Sequence, residues 1–77
     1  MRRVTSKDPR KPEIMRAFRE AYQHYGVSKI TDVTDLGNGM FRATLFKHLG
    51  NRKYERLGVF ETPVVFVVAE GKNFPGL

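Results

Sequence analysis

Residues 30–46 read Ile30-Thr31-Asp32-Val33-Thr34-Asp35-Leu36-Gly37-Asn38-Gly39-Met40-Phe41-Arg42-Ala43-Thr44-Leu45-Phe46, two runs of strand-forming residues around a Gly-Asn-Gly centre. β-Branched and aromatic side chains suit a pleated, half-buried surface, and Gly and Asn supply the positive φ that a tight hairpin needs. The pattern predicts strands over 28–36 and 40–49 joined at 37–39. Gly50-Asn51 breaks the chain again, and residues 53–61 return as a third strand. With Gly50 to Lys53 as the loop, Arg42 faces Glu61, Thr44 faces Val59, Phe46 faces Leu57 and His48 faces Glu55. On the other side Ala43 meets Phe60 and Leu49 meets Tyr54. A slip of one residue would set Arg42 against Val59 and Phe46 against Glu55, a worse match. The preferred register gathers Phe41, Ala43, Leu45, Leu49, Tyr54 and Phe60 on one face.

Upstream, Ile14, Phe18, Ala21, Tyr22 and Tyr25 recur at helical spacing, with Met15 and Ala17 widening the stripe. Pro12 suits the first turn and Gly26 a left-handed cap, so a helix is predicted over about 12–25. The fold class is therefore α+β: one N-terminal helix packed on a three- or four-stranded antiparallel sheet. Residues 1–11 are expected to be a flexible basic arm, 12–69 a single domain and 70–77 a C-terminal tail. Thr62-Pro63 interrupts the third strand, because proline donates no ladder hydrogen bond. Val64-Val65-Phe66-Val67-Val68-Ala69 has no polar alternation and is expected to be a buried strand. Phe46, Leu57 and Val59 remain uncovered by a single helix, which points with Val64–Ala69 to a homodimer.

Composition bounds the function. The chain has 77 residues, no Cys and no Trp, and Ile, Leu, Val and Phe number 21, enough for one small core without disulfides. The run 64–69 is far short of the roughly 20 residues a membrane helix requires, and no apolar stretch follows the basic N-terminus. A soluble, cytoplasmic protein is the expectation. Metal binding fails on inventory, since His24 and His48 are the only histidines. Ser6 and Ser28 lie in arm and turn contexts, and Asp32 and Asp35 have an odd spacing that sends them to opposite faces of a strand. Gly37-Asn38-Gly39 precedes no helix, so it is a hairpin turn and no phosphate cradle. No cofactor and no enzymatic activity are expected.

The net charge of +6 is uneven. Residues 1–11 carry Arg2, Arg3, Lys7, Arg10 and Lys11 against Asp8, and residues 47–56 carry Lys47, Arg52, Lys53 and Arg56 against Glu55, while the remainder is close to neutral. Cations at an arm and a hairpin tip can reach phosphates and release condensed counterions. Tyr54 lies among the tip cations, with Phe46 and His48 on the adjoining strand, so one sheet face could stack bases. The expected function is nucleic-acid binding through Arg2, Arg3, Lys7, Arg10, Lys11, Lys47, Arg52, Lys53, Tyr54 and Arg56, with the type of nucleic acid open. The alternative is a small protein-interaction module, a regulator or inhibitor that uses the sheet face or its edge.

The order helix, strand, strand, strand over 12–61 with a basic tip is similar to the first part of a double-stranded RNA-binding domain. Such domains place the basic start of a second helix after the third strand, where this chain has Thr62-Pro63 and the valine-rich run, so no site residue is carried over. The helix, Gly26-Val27 and the following strands also look a little like the secreted inhibitory modules called PepSY, from which the basic arm and missing export signal depart.

Overall fold

Gly26 is where helix becomes sheet. The computed structural model, which describes residues 1–66, has helix α1 at Lys11–Ala21 and a short 3-10 turn at Gln23–Tyr25 that ends on Gly26 in the left-handed conformation, φ 71°. Four antiparallel strands, β1 (Arg2–Arg3), β2 (Val27–Asp35), β3 (Met40–Gly50) and β4 (Lys53–Pro63), form one sheet in sequence order. The predicted α+β fold is the observed one. Ile14 and Phe18, the centre of the helical stripe, are fully buried against Ile30, Val33, Phe41, Ala43 and Leu45 of the sheet. The helix stops earlier than its stripe does, because Tyr22 leaves helical geometry and turns its ring onto Phe60, with 4.8 Å between centroids. Its hydroxyl donates to the Glu61 carbonyl.

Gly37-Asn38-Gly39 closes the first hairpin as expected. The Asp35 carboxylate accepts from the Gly37 N–H at 2.8 Å, and the Asn38 side chain accepts from the Met40 N–H at 3.2 Å. In β2 a bulge at Asp32, φ 53°, lets Ile30 and Val33 both reach the core despite their odd spacing.

The β3–β4 register agrees with expectation from Arg42–Glu61 through Leu45–Gly58 and then departs from it. Leu45 faces Gly58, but Phe46 faces Arg56, Lys47 faces Glu55 and His48 faces Tyr54. Leu57 is the extra residue on β4 and packs against the core. Gly58, at φ 134°, takes the conformation that permits this bulge. Leu49 is a second extra residue, on β3, and it restores the original register at Gly50–Lys53. Asn51 and Arg52 form the two-residue turn at φ 49° and 63°.

Two further expectations need correction. Residues 1–11 are not an appendage: Arg2–Arg3 pair with Asp35 and Thr34 of β2, and Val4 is a core residue at 4% exposure. Its N–H donates to the Val33 carbonyl at 2.8 Å. Val64–Phe66 form no strand; Val64 is buried in the chain's own core, while Val65 is 79% exposed. Residues 67–69 of that expected strand, and the tail 70–77, lie outside the described residues.

Asp8 and Arg10 fasten the segment between β1 and α1. The Asp8 carboxylate accepts from Arg10 Nη2 at 2.9 Å, Nε at 3.2 Å and the Arg10 backbone N–H at 2.8 Å, and Arg10 Nη1 also reaches Asp35 at 3.4 Å. Hydrogen bonds from the Arg10 side chain, then from its backbone, hold the Asp8 carboxyl below its ordinary value of 3.8. A depressed folded value gives stability that is present above the unfolded value and is lost as pH falls through the folded one. Asp8→Asn should therefore lower the urea midpoint at pH 6 and leave the difference from the parent much smaller at pH 2; an equal difference at both would show that the carboxylate charge plays no part.

Candidate nucleic-acid interface

Cross-strand partners share a face, so the observed register sorts the side chains of the sheet. Phe41, Ala43 and Leu45 face the helix. Arg42, Thr44, Phe46 and His48 alternate with them onto the open face, and their partners on β4 are Glu61, Val59, Arg56 and Tyr54. The end of this face near the Gly37–Gly39 turn is self-neutralised. Arg42 Nε lies 3.3 Å from Glu61, and Arg3 Nη2 lies 3.1 Å from Asp32.

The end near the Asn51–Arg52 turn is different. Here Lys29, Phe46, His48, Tyr54 and Arg56 come together. The His48 and Tyr54 rings are 5.1 Å apart, and the Lys29 ammonium sits 5.0 Å from the Tyr54 ring centre and 5.5 Å from that of Phe46. Tyr54 is 46% exposed. Lys29, Arg52, Lys53 and Arg56 make no ion pair among the described residues. Glu55, the nearest acidic residue in sequence, stands opposite Lys47 on the helix side of the sheet.

The bulge at Leu57 builds this cluster. In an unbroken register Leu57 would lie against Phe46 and Tyr54 would point to the helix side; the extra residue sends Leu57 to the core and puts Arg56 and Tyr54 on the open face. The apolar surface expected from Phe46, Leu57 and Val59 is thus replaced in part by cation and phenol. Sequence alone does not single out Lys29, because nothing in its own neighbourhood is basic; only the pairing of Lys29 with Phe46 across β2 and β3 reveals it.

No family model, curated protein or solved structure matches this chain.

The ten residues expected to bind do not form one surface. Arg52, Lys53, Tyr54 and Arg56 belong to the hairpin end, with Lys47 on the helix side beside Gly26. Arg2, Arg3 and Lys7 belong to the opposite end of the sheet, since β1 pairs with the last residues of β2. From Arg42 to Gly50 the separation along β3 is about 27 Å at the usual rise of roughly 3.4 Å per residue. Arg10 is already engaged: besides its carboxylate partners, its guanidinium lies 5.7 Å from the Phe41 ring centre and 5.6 Å from that of Phe66. Lys11 opens α1 and is half-buried. Among the described residues no group of three His, Asp or Glu side chains could hold a metal ion, and no helix is long and apolar enough to cross a membrane.

Proposed function

We propose that the protein binds nucleic acid through the hairpin end of the sheet, with Arg52, Lys53, Arg56 and Lys29 meeting phosphates. The observation that carries this reading is the division of charge on the open face. Arg3 and Arg42 are paired with carboxylates at one end, while Lys29 and Arg56 at the other make no ion pair among the described residues and stand beside the Tyr54 and Phe46 rings. Arg52 adds independent support. It occupies a left-handed position, φ 63°, that Gly fills without steric cost and a side chain fills at a cost of roughly 1–2 kcal/mol. A guanidinium held there projects from the tip, where it gains reach toward a polyanion.

The test is a salt titration. Arg52→Ala with Lys53→Ala should weaken oligonucleotide binding and reduce the slope of log affinity against log salt by about 1.4 on a single strand or about 1.8 on a duplex. Arg52→Gly should weaken binding while raising the thermal midpoint, because it relieves the left-handed strain. Undiminished binding by the double variant at every salt concentration would sink the proposal. The reading would then pass to a protein partner docked on β4, an edge strand of the sheet among the described residues.

A further inference from the structure

We infer that the hairpin end of the open face is a stacking platform for unpaired bases, so that the ligand is single-stranded nucleic acid; this rests on the function proposed above and names its ligand class. Phe46 and His48 are two residues apart on β3, about 7 Å along the strand, and Tyr54 lies directly across from His48. The rings therefore form a patch on a rigid central strand and its neighbour rather than on a loop. Lys29 shows that the ring faces are open on the solvent side, because its ammonium occupies the space over both Phe46 and Tyr54. An exposed cation–π contact is weaker than a base stacked on an aromatic ring, so an arriving base displaces the ammonium, which then pairs with that nucleotide's phosphate.

Charge complementarity selects the occupant. Arg56 lies beside Phe46, Arg52 and Lys53 stand at the tip, and the two carboxylates that the described residues place on the open face, Asp32 and Glu61, are bound to arginines at the other end. A flat apolar partner would leave Lys29 and Arg56 without counter-charge, whereas a single strand supplies π faces and phosphates in alternation. A duplex supplies the phosphates alone, since its bases are already stacked on one another.

The experiment compares labelled oligothymidylate of twelve nucleotides with a twelve-base-pair duplex by fluorescence anisotropy over a range of salt. The single strand should bind more tightly. Phe46→Ala and Tyr54→Ala should each lower its affinity roughly 5- to 150-fold with an unchanged salt slope and leave the duplex unaffected. Tyr54→Phe, which keeps the ring, should bind as the parent does, and Lys29→Ala should flatten the single-strand slope by about 0.7. Phe46 is half-buried and Tyr54 exposed, and circular dichroism of each variant confirms its fold. If folded Phe46→Ala and Tyr54→Ala bind the single strand as the parent does, or lose single strand and duplex equally, the platform is refuted, even where the Arg52 and Lys53 variants still weaken binding. If the parent protein binds neither probe at low salt, the nucleic-acid function falls, and the platform with it.

Discussion

Removal of residues 1–10 should unfold the domain or lower its stability by about 3 kcal/mol or more. A protein of this length has a total stability of about 4–12 kcal/mol. Val4 alone, at 4% exposure, contributes about 1.5–3 kcal/mol of apolar burial, and its loss also uncovers the core side chains beneath it. The deletion removes two further supports: the β1–β2 pairing, and Arg10, which bridges Asp8, Asp35 and the Phe41 ring. Two point variants separate core from charge. Val4→Ala should cost about 1–3 kcal/mol, while Arg2→Ala should change stability by less than about 0.5 kcal/mol because that side chain is exposed and makes no ion pair among the described residues. Urea denaturation measures all three, and an unshifted midpoint for the truncated protein would show that β1 and Val4 add nothing to the fold.

The elements that depend on local chemistry were legible. Ile14 and Phe18 form the buried stripe of α1, Gly26 ends the 3-10 turn that follows it, and Gly37-Asn38-Gly39 turns the hairpin, each for a reason contained in a few adjacent residues. What could not be read locally is what a long-range partner decides. Val4 stands alone in a charged segment, without period, and becomes a core residue only because Val33 lies beside it. Pro9 and the dense charge give this stretch the look of an arm, yet Asp8 and Arg10 satisfy each other and anchor it. The run 64–69 has the composition of a strand, but among the described residues Val64 docks by one backbone hydrogen bond, its N–H to the Gly39 carbonyl at 3.1 Å, and the ladder ends at Pro63.

The proposed site is legible in charge and illegible in geometry. Arg52, Lys53 and Arg56 were recognisable as a basic tip, and Tyr54 as an aromatic among them. Their common surface with Phe46, His48 and Lys29 depends on a register shift that pairwise matching of an unbroken ladder does not produce. One signal was present: Gly58 inside a strand, the residue type that marks bulges.

Gly58 therefore decides where Tyr54 points, and Gly58→Val should move it. A β-carbon at residue 58 would meet Phe60 at 3.6 Å, an ordinary contact, so the obstacle is the backbone, held at φ 134°, which a β-branched residue adopts only at a cost of roughly 1–3 kcal/mol. The unbroken register offers relief from that strain, because the bulges at Leu57 and Leu49 offset each other and both vanish together. His48 would then face Glu55, Phe46 would face Leu57, and Tyr54 would turn to the helix side beside Leu49. Cross-strand nuclear Overhauser contacts should change from His48–Tyr54 to His48–Glu55, and single-strand affinity should fall by one stacked base, about 1–3 kcal/mol. Deleting Leu57 supplies the complementary case, since it removes the extra residue while keeping Phe46 opposite Arg56 and His48 opposite Tyr54. That variant loses Leu57's packing against the core but should retain the His48–Tyr54 contact and the platform. If Gly58→Val keeps the His48–Tyr54 contact and its full stability, the register is set by the side chains of the open face, and the glycine merely accommodates it.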